Sequence, residues 1–400
     1  MSQGWKQTTL GEVLAPKGYI RGPFGSALRR NELLDTGIPV YEQQHAIYGV
    51  RDFRFFISND KFQEMKRFET KTNDLIISCS GTLGKVSIIR DEDPKGIISQ
   101  ALLLLRANTD VILPQYLQYF FSSKEGYDAI VSRSSGSVQV NISKRADIEK
   151  IPLLLPPINE QRTIVGTLGA LDEKIANNTK INHHLEQMAQ TIFKSWFVDF
   201  EPFGGVIPDG WREGTLFEIA AITMGQSPDG SSYNEESIGT VFYQGRAEFG
   251  SRFPTRRLFT TQPKRMATKG DVLMSVRAPV GDLNVAYESC CLGRGLASIQ
   301  SNNGFQSFVL YTMFALKQQL DMFNGEGTVF GSINKNDMAS LPVLIPSDEV
   351  LRQFEELVSP MDASIEANFA ESCNLQAARD SLLPRLMSGE ISVADLGDAK

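Results

Sequence analysis

The sequence predicts an α+β protein: two β-rich heads joined by two long helices that form an antiparallel coiled coil, with a pseudo-two-fold internal repeat. Three observations carry this reading. The chain repeats itself along its whole length, in two units of about 190 to 200 residues. Each copy ends in a long stretch with apolar residues at alternating steps of three and four. Proline and glycine clusters fall between the β-rich and helical stretches of each copy.

The elements follow in order. "WKQTTLGEVL" from Trp5 returns as "WREGTLFEIA" from Trp211, keeping Trp, Thr, Leu and Glu in register. "GIPVYEQQ" from Gly37 returns as "GTVFYQGR" from Gly239, with Tyr41 and Tyr243 closing a strand-like run. "DLIISCSGTLGKVSI" from Asp74 returns as "DVLMSVRAPVGDLNV" from Asp271, a β-rich run with a glycine turn. "GSVQVNISKRADIEKIPLLLPP" from Gly136 returns as "GTVFGSINKNDMASLPVLIPS" from Gly327. The division is therefore a first head over 1–157, a first helix over 158–200, a second head over 201–346, and a second helix with a C-terminal tail over 347–400. Pro152, Pro156 and Pro157 are read as ending the first head, and Pro342 and Pro346 the second. Asn159 and Ser347 are the expected N-caps, and "DFEPFGGVIPDG" the linker between copies.

Along the first helix Ile164, Leu168, Leu171, Ile175, Asn178, Asn182, Leu185, Ala189, Ile192 and Trp196 form a heptad seam. Its counterpart runs through Phe354, Val358, Met361, Ile365, Asn368, Ser372, Leu375, Arg379, Leu382 and Leu386. The polar interruption falls in the same slots, Asn178 with Asn182 and Asn368 with Ser372, so antiparallel pairing sets the two polar centres face to face. Such a centre costs stability but excludes slipped registers, in which amides would lie unpaired against leucines. A helix of nearly forty residues is a rod of about 55–60 Å. The alternative is that each helix packs on its own head.

At 42% hydrophobic and 22% charged, the 400-residue chain has an ordinary globular composition. No apolar stretch reaches the roughly 18–20 residues of a membrane span, and the N-terminus lacks a signal-peptide layout, so a cytoplasmic location and no membrane partner are expected. Cys79, Cys290, Cys291 and Cys373 show neither disulfide nor zinc spacing and are read as buried free thiols. The net charge of −7 is uneven: residues 347–400 hold 4 basic against 11 acidic residues, whereas Gln244–Arg277 holds 8 against 2.

No catalytic or metal residue emerges. "GTLGKVS" from Gly81 lacks the first glycine and final Ser/Thr of a phosphate loop, and the repeat replaces Lys85 with Asp282. His45, His183 and His184 show no metal-binding pattern, and a nucleophile elbow or cofactor-binding turn is missing. Two similar heads on a stiff spacer suit duplex DNA, whose half-sites repeat at fixed spacing. Base edges are read by Arg, Asn and Gln, and phosphates by Lys and Arg. The DNA-binding candidates are Arg21, Arg29, Arg30, Gln43, Gln44 and His45 in the first head. In the second they are Tyr243, Gln244, Arg246, Arg252, Arg256, Arg257, Lys264, Arg265 and Arg277. The competing reading is a bivalent protein-binding scaffold with a coiled-coil spacer.

Over essentially its full length the chain resembles the specificity subunits of type I restriction-modification systems. The resemblance rests on "GPFGSAL" at Gly22, "PPINEQR" at Pro156 leading into "LDEKI" and "KSWFVDFEPF", "GQSPDGSSYN" at Gly225, "KGDVLMSVRAPVGDLN" at Lys269, "GRGLA" at Gly293 and "LLPRLMSGEI" at Leu382. It implies two target recognition domains, each followed by a spacer helix, reading the two halves of a split DNA target. It also implies no catalytic centre and no cofactor in this chain. The implied partners are double-stranded DNA, two methyltransferase (modification) subunits using S-adenosylmethionine to methylate adenine, and restriction/translocase subunits using ATP and Mg.

Overall fold

Each head opens with the same local instruction. In "TLGE" and "TLFE" the glutamate three residues past the threonine folds back, and its carboxylate accepts the threonine N–H: Thr9 N to Glu12 at 3.1 Å, Thr215 N to Glu218 at 2.9 Å. This half of a capping box starts the short helices Leu10–Val13 and Leu216–Ile219, whose first leucines are fully buried. The computed structural model describes residues 4–24, 28–135, 141–142, 144–325 and 331–392. Parts of the repeated motifs, residues 25–27, 136–140 and 326–330, lie outside the described residues.

The chain forms two compact units, Met1–Ile175 with Cys373–Lys400, and Ala176–Ser372. In the first, a four-stranded antiparallel sheet runs in the order Leu14–Arg21, Leu102–Ala107, Leu75–Ser78, Val86–Ile88. In the second the order is Ala220–Met224, Leu296–Ser301, Val272–Ser275, Leu283–Val285. Beside each lies a mixed sheet, of three strands in the first head and five in the second, containing one parallel pair, Tyr41 opposite Ile98 and Tyr243 opposite Leu292. The strand "LLLL" at Leu102–Leu105 is continuous in hydrophobicity because both its faces are covered. Leu103 and Leu105 pack with Leu10, Tyr116 and Ile164, while Leu102 and Leu104 pack with Tyr41 and Ile98.

Pro152 and Pro342 do not end the heads. Each opens a strand, Pro152–Leu155 and Pro342–Ile345, paired antiparallel with the head's first strand, where a proline at the leading position gives up no ladder bond. The first long helix, Ile158–Phe197, begins one residue before the expected cap; Asn159 sits inside the first turn, with its side-chain oxygen accepting from Arg162 at 2.7 Å. The second, Asp348–Met387, follows Ser347, whose carbonyl accepts from Leu351 N at 3.1 Å. Both helices are 40 residues long.

The helices pair antiparallel. Within the second unit Asn178 donates to the Glu371 carboxylate at 2.7 Å and to Ser372 Oγ at 3.3 Å. One turn on, Asn368 donates to Asn182 Oδ1 at 2.9 Å, and Asn182 to the Ile365 carbonyl at 3.1 Å. The remaining seam positions, Leu168, Leu171, Ile175, Leu185, Val358, Met361, Ile365 and Leu375, are all buried or half-buried. The seam also meets the heads. Ile164 and Leu168 join Leu386 in the first unit's core, and Ala189 joins Phe354 and Val358 in the second's. Pairing and head packing are thus both present, at different levels of the same stripe.

Candidate nucleic-acid interface

The helices hold each head through a repeated aspartate. Asp172, from the "LDEKI" motif, accepts from Tyr119 Oη at 2.7 Å and from Arg379 at 2.8 Å. Asp362, its counterpart 190 residues on, accepts from Tyr311 Oη at 2.8 Å, Ser307 Oγ at 2.7 Å and Arg252 at 2.5 Å. Arg252 reaches Glu186 on the first helix as well, at 2.9 Å. Gln161 of "NEQR" is fully buried and acts as a clasp: its oxygen accepts from Leu113 N at 2.8 Å, and its nitrogen donates to the Val111 and Pro156 carbonyls at 3.1 and 2.9 Å. Apart from Arg252, which was predicted as a DNA contact, these anchors were not among the predicted site residues. Their signal was the recurrence of Asp, and of Tyr119 with Tyr311, at repeat spacing.

Three predicted DNA contacts, Tyr243, His45 and Arg252, are buried, and the expectation is corrected for them. Tyr243 is 1% exposed and lies in the sheet core, where burial raises its phenol far above the ordinary value. Its partner in the repeat, Tyr41, donates to the Pro94 carbonyl at 2.7 Å, so the repeated tyrosine is a core residue in both heads. His45 is fully buried, stacked on Phe53; its Nδ1 accepts from Glu42 N at 2.6 Å, which leaves the Nε2 proton for the Asp52 carbonyl at 3.0 Å. Arg252 is 8% exposed and committed to the two helices. Gln43 donates to the Ser80 carbonyl and to that of Thr82 at 3.2 Å, and Gln44 to Asp52 at 3.2 Å, so both amides brace loops.

The basic stretch is largely neutralised by its own Glu248 and by acids from elsewhere in the second unit. Arg246 pairs with Asp282, Arg256 with Glu288, Arg257 with the buried Glu248 at 2.5 Å, and Lys269 with Glu366 at 2.5 Å. Lys264, Arg265 and Arg277 are exposed and form no ion pair among the described residues; Gln244 is also exposed. In the first head Arg29 and Arg30 are exposed, whereas Arg21 is half-buried with its guanidinium 5.4 Å from the Phe24 ring centre. The two heads therefore bring together fewer free cations than their sequences contain.

The glycine loop at Gly81 is a strand connection, with Lys85 directed over the Tyr127 ring at 5.0 Å and Ser78 Oγ accepting Lys85 N at 3.0 Å. His183 and His184 are exposed on the first helix. Among the described residues no group of three or more His, Cys, Asp or Glu is arranged to hold a metal, and no helix is long and apolar enough to cross a membrane. Cys79, Cys290 and Cys291 are buried, and burial pushes the Cys79 and Cys290 thiols up to about 12. Cys373 is exposed, contrary to expectation, because it lies off the seam.

Comparison with known proteins finds the sequence profile of the type I restriction modification DNA specificity domain at residues 3–187 and again at 208–369. A Methanocaldococcus jannaschii chain described as the MjaX type I restriction enzyme specificity subunit is 31% identical over 356 residues, covering 84% of this chain and 83% of that one. The MjaIX specificity subunit of the same organism is 24% identical, covering 72% and 71%. The crystal structure of a type I restriction-modification S subunit from M. genitalium has the same fold, with a TM-score of 0.60 at 17% identity over 96% of both chains.

Proposed function

The chain belongs to the type I restriction-modification DNA specificity family, and from that premise we propose that it reads a bipartite target in duplex DNA, one half-site per head. The paired helices set the unspecified gap. The chain docks two adenine-methyltransferase subunits and the restriction/translocase subunits, which carry S-adenosylmethionine, ATP and Mg; it contributes recognition and no catalytic group.

The observation that supports this best is that two heads share one backbone plan while presenting different exposed side chains, as two readers of different half-sites would. The polar centre of the helix pair supports it too, since a spacer is useful only in a single register. Free Lys264, Arg265 and Arg277 in the second head, and Arg29 and Arg30 in the first, are the phosphate contacts this reading favours.

The test is to express the chain with the methyltransferase subunit of its own system in a host that lacks adenine methylation, and to map methylated adenines. Two short defined blocks separated by a constant gap are expected; a continuous motif, or none, overturns the proposal. The ion-paired state of Arg246, Arg256, Arg257 and Lys269 weakens the electrostatic case and favours the scaffold reading to that extent. A gel shift on random duplex DNA, with and without the methyltransferase, separates the two, because a scaffold retards no DNA in either lane.

A further inference from the structure

We propose that the tips of two equivalent turns, Gln100 in the first head and Arg294 in the second, are base-reading positions; this deepens the DNA-reading function above and rests on it. The turns occupy the corner where the mixed sheet passes into the four-stranded antiparallel one, directly after Ile97–Ile98 and Cys290–Leu292.

Their backbones are held by the same four hydrogen bonds. Ser99 N donates to Tyr41 O and Gly293 N to Tyr243 O, both at 2.8 Å. Leu102 N closes onto Ser99 O at 3.2 Å, and Leu296 N onto Gly293 O at 3.0 Å. Cys79 N reaches Ala101 O at 2.8 Å where Val276 N reaches Gly295 O at 2.9 Å. Finally Gly22 N and Gly225 N donate to Leu102 O and Leu296 O, each at 2.9 Å.

The last pair also explains two of the motif glycines. A Cβ on Gly22 would lie 1.9 Å from Ser99 O, and one on Gly225 would lie 2.1 Å from Gly293 O, so only bare backbone seats the turn. The buried repeated tyrosines have a matching purpose: their carbonyls pin the first residue of each turn.

On this common support the chain places two different exposed side chains at the second turn position. Neither the Gln100 amide nor the Arg294 guanidinium has a hydrogen-bond or ion-pair partner among the described residues. Their neighbours in the repeat, Gln43 and Arg246, have both spent their polar groups internally. Glutamine makes a two-pronged contact with adenine and arginine with guanine, so one framework bearing these two residues reads two different bases. Around Arg294 the exposed Gln244 and Arg277 border the same turn through Gly293 and Val276, which adds positive charge for an adjacent phosphate.

The test maps methylated adenines produced by the chain with its methyltransferase subunits, comparing wild type with Gln100→Ala, Arg294→Ala and Arg294→Lys. Arg294→Ala is expected to relax one base position in one half of the motif, with a loss of discrimination of about tenfold or more. Gln100→Ala relaxes one position in the other half, and each variant leaves the opposite half unchanged. Arg294→Lys keeps the charge but not the fork, and relaxes the same position as the alanine variant. Melting temperatures equal to wild type exclude unfolding as the cause. A motif unchanged in all three variants overturns this inference and leaves the assignment of the chain as a specificity subunit standing. A wild type that methylates no motif overturns that assignment instead. Loss of methylation in Arg294→Ala that Arg294→Lys restores with the original motif marks a phosphate contact, and likewise overturns the base-reading role.

Discussion

Arg252 carries its charge into the interior of the second unit, where Glu186 and Asp362 accept from separate guanidinium nitrogens and the Tyr311 ring lies 5.8 Å away. Removing it leaves two carboxylates, only about a fifth exposed, without a counter-charge, although Asp362 keeps its hydrogen bonds from Tyr311 and Ser307. Arg252→Ala is therefore expected to cost about 2–4 kcal/mol in urea unfolding, below the upper end for a broken buried pair because both acids keep some water. Glu355 shows the opposite sign. It accepts Phe308 N at 2.8 Å, yet burial raises its carboxyl above the ordinary 4.5. The folded state then holds the proton more tightly than the unfolded chain, so this group's contribution is most favourable below pH 4.5 and is lost as pH rises through the folded value. Glu355→Gln keeps the acceptor without the charge; its melting temperature should match wild type in acid and exceed it near pH 7. At the same scale, a thiol reagent added to the native protein should label Cys373 rapidly and the three buried cysteines only after unfolding.

In the helices, register is decided by a few amides. Asn368 donates to Asn182 and Asn182 to the opposite backbone, so truncating either one leaves a half-buried polar group without its partner. Asn368→Leu alone is expected to destabilise by about 1–3 kcal/mol, and adding Asn182→Leu should recover part of that loss. A double-mutant cycle measures the coupling; strict additivity would show that the amides do not act as a pair. The recovered double variant gives up register control in exchange, which would appear as helix pairs cross-linked at more than one offset by engineered cysteines.

For the whole molecule, the proposed spacer role makes a quantitative demand. Seven residues inserted between Asn178 and Asn182 and seven between Asn368 and Glu371 keep the seam in phase, because these segments face each other in the antiparallel pair, and lengthen it by about 10 Å. On the proposed reading the gap between half-sites grows by about three base pairs while both half-sites stay the same. A gap that does not change would remove the helices from that role. Insertion in one helix alone sets Asn182 against the wrong partner and is expected to abolish methylation. Salt dependence belongs at this scale as well. Arg277→Ala combined with Lys264→Ala should flatten the salt slope of DNA binding by about two contacts, whereas Arg256→Ala should change it little because Glu288 already neutralises that charge.

The sequence by itself determined the duplication, the two long helices and the seam with its polar centre, since period and spacing are properties of nearby residues. The repeated Tyr, Asp and Gly positions were legible too, but as positions and not as roles. Only the tertiary structure decided that Tyr41 and Tyr243 are core, that His45 is buried, and that Asp172 and Asp362 fasten heads to helices. It also decided which charges remain free. Arg252 meets a carboxylate 110 positions away and Arg256 one 32 positions away, and no local count of Lys and Arg records such partners. Charge summed along a chain becomes surface potential only after folding has chosen which opposite charges lie within a few ångströms.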